Sequence, residues 1–201
     1  MNVAIIDYGA GNVPSVERAL QKLGATPERV NTAEELASAK AIVLPGVGHY
    51  AALIRALDER DLRAALVDAI LQGKPFLGIC LGLQALYKSS EEAPELDGLG
   101  IFPGRVCALP SNVKLPHMGW NRLKIQRGGG LLEGLSGEDY FYFAHSFAAQ
   151  ATNGEAAALC DYGTEFAAVL CVDRLCAVQF HPEKSGSAGA KLLGNFLRIA
   201  A

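Results

Sequence analysis

The sequence predicts a three-layer α/β fold: a mostly parallel central sheet with flanking helices and an added antiparallel strand region in the C-terminal half. Three observations carry that expectation. Residues 3–6, 41–44 and 76–79 are short runs apolar on both faces, as strands buried on both sides of a parallel sheet read. Helical stretches separate them. After the polar stretch 89–98, the pattern changes to short alternating segments of the kind that form hairpins.

The elements follow in order. The first strand ends at Asp7-Tyr8-Gly9, and a helix is expected over residues 13–23, with Pro14 suited to its first turn and Gly24 to its end. Pro45-Gly46 stops the next core strand. Two helices are expected over 50–57 and 61–71, the second closing at Gly73. A third core strand over 76–79 leads into a helix over 81–88. The alternating segments are 104–109, 122–125, 140–147, 156–162, 166–172 and 175–180, expected as hairpins joined to the edge of the sheet. Gly128 to Gly130 reads as a flexible turn, and a last helix spans 188–199. With no internal repeat or long linker, residues 1–201 are expected to form a single domain.

Composition narrows the function. Half of the 201 residues are hydrophobic, and the net charge of -3 comes from interspersed acids and bases. No basic stripe suits nucleic acid or an anionic membrane. The first residues form neither a charged leader nor a long apolar run, and no stretch approaches the roughly 20 apolar residues a bilayer requires. A cytoplasmic protein is expected. Five cysteines, at 80, 107, 160, 171 and 176, show no metal-ligand spacing, so reduced thiols and no metal or cofactor are expected.

The sharpest chemical signal is Gly78-Ile79-Cys80-Leu81-Gly82 at a strand-to-helix junction. This is a G-x-nucleophile-x-G elbow with cysteine as the nucleophile. Such a turn strains the central residue, and the flanking glycines leave room for crossing chain segments. The thiol then stands at the strand end, where a helix N-terminus favours thiolate and the Leu81 amide can face an oxyanion. The other four cysteines lie in strand-like segments and read as small buried hydrophobes.

A base is needed, and Gln179-Phe180-His181-Pro182-Glu183 supplies one. His181 and Glu183 project to one side of an extended segment, so the carboxylate can steady the imidazole. The imidazole would take the thiol proton and hand it to a departing amine. His49, by contrast, reads as an ordinary core or surface histidine.

The elbow with Gln84, followed by Phe180-His181-Pro182-Glu183, resembles the class I, triad-type glutamine amidotransferases. That resemblance implies the fold, a Cys80-His181-Glu183 triad, glutamine as substrate, a glutamyl thioester and release of ammonia. Asp7 to Asn12, Pro45 to Gly48, Pro116-His117-Met118-Gly119-Trp120-Asn121 and Tyr142-Phe143-x-His145-Ser146 resemble, more narrowly, the glutaminase subunits of imidazole glycerol phosphate synthases. The match spans nearly the whole chain, and 116–121 is its most specific block. It implies a heterodimer with a cyclase subunit, in histidine biosynthesis. It also implies Val47 and Leu81 as oxyanion amides, and Gly48, Gln84, His145, Ser146 and Phe147 as substrate-binding residues. His117, Met118, Trp120, Asn121 and Tyr142 would form the partner interface. Pro14 and His49-Tyr50 depart from the commoner pattern, and both are expected near the subunit contact.

Other readings compete. Asp7 to Asn12 lacks the third glycine of a dinucleotide fingerprint, since Pro14 stands there, and the next strand ends at Val30-Asn31 without the expected acid. A glutaminase of another biosynthetic pathway remains, such as a pyridoxal phosphate synthase subunit, although its oxyanion segment differs from Pro45 to Gly48. A small cysteine peptidase and a non-catalytic binding module complete the alternatives. An intact triad argues against the module.

Overall fold

A computed structural model describes residues 1–150 and 156–201. The elements run β1 (Asn2–Ile6), α1 (Val13–Lys22), β2 (Thr26–Val30), α2 (Ala33–Ser38), β3 (Ala41–Gly46), α3 (Tyr50–Glu59), α4 (Leu62–Leu71), β4 (Phe76–Cys80) and α5 (Leu81–Gln84). The second half adds β5 (Tyr87–Ser90), β6 (Phe102–Ala108), β7 (His117–Arg122), β8 (Lys124–Ile125), β9 (Tyr140–His145) and β10 (Phe147–Ala149). It closes with β11 (Ala156–Asp161), β12 (Glu165–Val172), β13 (Leu175–Val178) and α6 (Gly186–Ala200), with one-turn 3-10 helices at Gly130–Leu132 and Pro182–Lys184.

The main sheet has the order β2-β1-β3-β4-β13-β12-β11-β8. Its first five strands are parallel, and β12, β11 and β8 continue it antiparallel. The expected mixed sheet is therefore present, with β13 returning to pair alongside the elbow strand β4. The central strands are buried on both faces, and one apolar core lies on each side of the sheet. That burial is why they read as unbroken apolar runs instead of alternating ones. Smaller β10-β6-β5 and β7-β9 sheets stand beside it. Among the described residues, no helix is long and apolar enough to cross a membrane.

The structure differs from the sequence reading at several places. The helix expected over 81–88 lasts one turn, because Tyr87 is taken into β5 and pairs with Phe102. Residues 117–122 form β7 against β9, with Gly119 held at φ 144°. The segment 140–147 breaks at Ser146, so β9 and β10 join different sheets. Tyr50 is fully buried and does not offer its side chain to a subunit contact, while His49 is exposed and caps α3, its Nδ1 accepting from the Ala51 amide at 3.1 Å. Pro14 is exposed.

Candidate active site

The elbow is built by close packing. Cys80 sits at φ 54° and ψ -106°, outside the basins open to most side chains, at the end of β4. Gly46 is its register partner on β3. A Cβ on Gly78 would stand 2.6 Å from the Gly82 carbonyl oxygen. One on Gly82 would run into the Leu44 carbonyl oxygen, and one on Gly46 into the Leu81 side chain. Three chain segments thus meet where only glycine fits. α5 has four residues, too few aligned peptides for the helix dipole to hold much charge at the sulfur. Side-chain donors carry that role instead.

One of them is His181. Its ring engages Cys80 on one side, and on the other its Nδ1 lies 3.0 Å from Glu183 Oε1. The direct i to i+2 contact forms because Pro182 opens a 3-10 turn that folds Glu183 back on the ring. The side chains of His181 and Glu183 are 2% and 1% exposed. Burial alone would push the imidazole pKa down, but hydrogen bonds to Cys80 and Glu183, with their negative charges, together outweigh it and lift it to about 10. Asn12 Nδ2 donates to Glu183 Oε1 at 3.2 Å, fixing the carboxylate from the loop after β1. The turn itself is tied to β9: the His181 amide donates to the Tyr142 carbonyl at 2.8 Å, and the Tyr142 amide donates to Ser185 Oγ at 3.0 Å.

Cys80 and His181 open into a cleft of about 520 Å³. Val47, Gly48, Leu81, Gln84, His145, Ser146 and Phe147 line it, so every residue named from sequence for oxyanion or substrate contact is brought to one place. Two stand differently from a simple contact role. Gln84 Nε2 is already engaged, donating to the Phe147 carbonyl at 2.8 Å and to Gln179 Oε1 at 3.1 Å, which leaves Oε1 as a buried acceptor without a partner among the described residues. Val47 turns its backbone amide towards the Tyr8 hydroxyl without closing a hydrogen bond to it. Burial, above all, pushes the Tyr8 hydroxyl up to about 12, so it stays protonated.

His117 and His145 form a buried pair behind the cleft. Phe147 carbonyl oxygen can only accept, so His145 Nδ1, 2.9 Å away, carries the proton and Nε2 is an acceptor. His117 Nδ1 therefore donates to that Nε2 at 3.1 Å, and Asn121 Nδ2 at 3.4 Å faces the remaining ring nitrogen. Desolvation holds both rings neutral, His145 at about 3 and His117 at about 4. His117 is 3% exposed and stacked between Phe143 and Tyr162, so it does not present its side chain to a partner as the sequence reading expected. Met118 and Trp120 do point outwards, at 65% and 55% exposure, and Trp120 meets Tyr142 edge to face. Asn121 and Tyr142 are half-buried.

Four residues of the site were missed from sequence. Gln179 is fully buried and directs Nε2 at Cys80 Sγ, 3.6 Å away. Its place two residues before His181 was visible, but a glutamine in an apolar strand end gives no sign of its target. Asn12, Glu92 and Lys184 also line the cleft. Only the 171-residue separation of Asn12 from Glu183, closed by the fold, explains why that contact could not be read.

The family model described as glutamine amidotransferase class-I matches residues 4–200. This chain belongs to the class-I glutamine amidotransferase family. It is 48% identical over 197 residues to imidazole glycerol phosphate synthase subunit HisH of Methanothermobacter thermautotrophicus, covering 98% of each chain. It is 47% identical to the subunit of that name from Desulfitobacterium hafniense, covering 96% of this chain and 92% of that one. A solved structure described as a glutamine amidotransferase superposes with a TM-score of 0.79 over 98% of both chains at 21% identity, which speaks for the shared fold. Within this glutamine amidotransferase, the elbow and the His181 turn hold the positions that the chemistry of amide hydrolysis needs.

Proposed function

We propose that this chain is the glutaminase subunit of an imidazole glycerol phosphate synthase, acting in the cytoplasm as one domain, residues 1–201, paired with a cyclase subunit. The observation that carries the chemistry is His181 held between Cys80 and a buried Glu183 at the floor of the cleft. The near full-length similarity to subunits of that synthase supports the pathway, histidine biosynthesis, and implies a partner subunit.

Cys80 sulfur attacks the side-chain amide carbon of glutamine, and the amides of Leu81 and Val47 face the oxygen that gains charge. His181, protonated while Cys80 is thiolate, gives its proton to the departing nitrogen. Ammonia leaves as the glutamyl thioester forms. Water, deprotonated by His181, then attacks the thioester, whose carbon–sulfur bond breaks to release glutamate and restore the thiolate-imidazolium pair. The unpartnered Gln84 Oε1 is the open acceptor for an N–H of the bound glutamine.

Val47 contributes to the oxyanion site only after its peptide turns from Tyr8 towards Cys80, which supports a subunit that is slow alone and activated by its partner. The exposed apolar side chains of Met118 and Trp120 on the β7-β9 ribbon, beside a His181 turn hydrogen-bonded to β9, are the surface we assign to that partner. Ammonia in bulk water near neutral pH is mostly protonated, so an enclosed route to the second active site is required.

The test is co-purification with a cyclase subunit followed by an assay for imidazole glycerol phosphate. Glutamine should support its formation in the wild-type pair and fail with Cys80→Ala, whereas added ammonia should still support it. Glutamine hydrolysis at equal rates with and without the partner would remove the coupling from the proposal.

A further inference from the structure

β12 turns into β13 at Asp173-Arg174, and Cys171 stands directly opposite Cys176 in antiparallel register. Opposed residues in such a pair have Cα atoms about 4.5–5.5 Å apart and side chains on one face. That spacing lies inside the window of about 4.4–6.8 Å that a disulfide spans. The two sulfurs are 2.6 Å apart. Cys176 is fully buried, while Cys171 is half-buried and within reach of a small reagent.

The pair is chemically uneven. Its contact with Cys176 draws the Cys171 thiol down to about 7 against the effect of burial, with help from the Leu131 backbone and the Arg127 charge and opposition from Asp173. The same contact pushes the Cys176 thiol up, and burial adds to it. Cys171 is the less buried of the two thiols and so the better placed to attack first.

Its location separates it from catalysis. β13 runs parallel to β4, with Cys176 beside Leu77, three residues before Cys80 at the C-terminal end of that strand. Among the described residues, no group of three or more His, Cys, Asp or Glu could hold a metal ion, so the pair is not part of such a site.

We propose that Cys171 and Cys176 are a redox dithiol that closes to a disulfide by exchange with a low-molecular-weight disulfide of the glutathione class. Cys171 thiolate attacks one sulfur of oxidised glutathione, whose S–S bond breaks and releases one glutathione thiolate. Cys176 then loses its proton and attacks the Cys171 sulfur, releasing the second glutathione. Two protein thiols are oxidised and one glutathione disulfide is reduced to two thiols, so the exchange balances. The product staples β12 to β13 and leaves Cys80 free.

The full chain would be incubated with graded oxidised glutathione, its remaining thiols alkylated, and the sample digested with trypsin without reductant. Arg174 lies between the two cysteines, so cleavage after Arg127, Arg174 and Lys184 leaves peptides 128–174 and 175–184 joined only through a disulfide. Cys160 shares the longer peptide and must be distinguished. The joined pair should appear in the wild type and in Cys160→Ser, vanish in Cys171→Ser, and separate on reduction. If Cys171→Ser loses its circular dichroism signature of folding, fragmentation of the wild-type pair by tandem mass spectrometry should locate the bridge at Cys171. Alkylation of both thiols throughout the titration overturns the proposal. So does glutathione that remains attached to Cys171 without closure, or a bridge located at Cys160.

Discussion

Cys80 is held by its neighbours more than by its own backbone. Its positive φ aims the sulfur into the cleft, and two side chains then meet it: His181, and Gln179 at 3.6 Å. Because Cys80 is the chief cause raising the His181 pKa, Cys80→Ala should bring the imidazole titration well down from about 10, as followed by nitrogen-15 NMR of the ring. The sign has a consequence for folding. His181 is raised above its unfolded value of 6.5, so its contribution to stability is complete below 6.5 and disappears as pH climbs through about 10. In Cys80→Ala the contribution should be smaller and its loss complete at lower pH. Gln179 donates to a sulfur that carries charge in the proposed reaction, and hydrogen bonds to charged groups contribute about 1.5–3 kcal/mol. Gln179→Leu should therefore lower kcat for glutamine hydrolysis by roughly 10- to 100-fold with a smaller change in KM. A loss confined to KM would show that Gln179 serves binding and not the nucleophile.

Among the elements, β4 with its elbow is the piece whose sequence speaks most plainly. Its apolar run, its two glycines and its cysteine each have one reason to be there. Gly82→Ala tests the packing directly: a methyl group would meet the Leu44 carbonyl oxygen, which belongs to a buried strand and cannot step aside. The change should cost about 1–3 kcal/mol in thermal unfolding, with activity falling as β3 and β4 separate. The β7-β9 ribbon was harder to read. Met118 and Trp120 alternate with polar residues and Gly119, a spacing that fits a strand, but pairing with β9 is what makes 117–122 one. Likewise α5 looked longer than it is, because Leu83, Leu86 and Tyr87 suit a helix equally well; pairing of β5 with β6 decides their conformation. Contacts that depend on distant strands, such as Gln84 to Phe147 or Asn12 to Glu183, lie beyond what local pattern can express. Trp120→Ala removes the largest exposed apolar group of the ribbon and should weaken association with the partner subunit proposed above, measured by calorimetry, while leaving the fold intact. Unchanged affinity would move the docking surface elsewhere.

Across the whole molecule, a hydrogen-bonded path links the ribbon to Cys80. It runs from Asn121 through His117 and His145 to the Phe147 carbonyl, which Gln84 also reaches, and on through Gln179 to Cys80. Neutral buried histidines make that path acid-sensitive. His145 has a folded pKa near 3 against 6.5 when unfolded, so its contribution is complete above 6.5 and is lost as pH falls below that value. At pH 5 this amounts to about 2 kcal/mol. Thermal melts should show the loss between pH 7 and 5, and His145→Asn should flatten that dependence even if it lowers stability at neutral pH. An unaltered slope would place the acid sensitivity in other groups.

The locked tautomers of the paired rings also bear on the fate of the product. His145 lends its one proton to a backbone carbonyl and offers its neighbour only a lone pair, so the wall of the cleft nearest Phe147 is short of acidic hydrogen. A base as strong as ammonia, once released from the thioester step, meets no imidazolium on that side to quench it, and can travel onward still carrying the electron pair its acceptor needs.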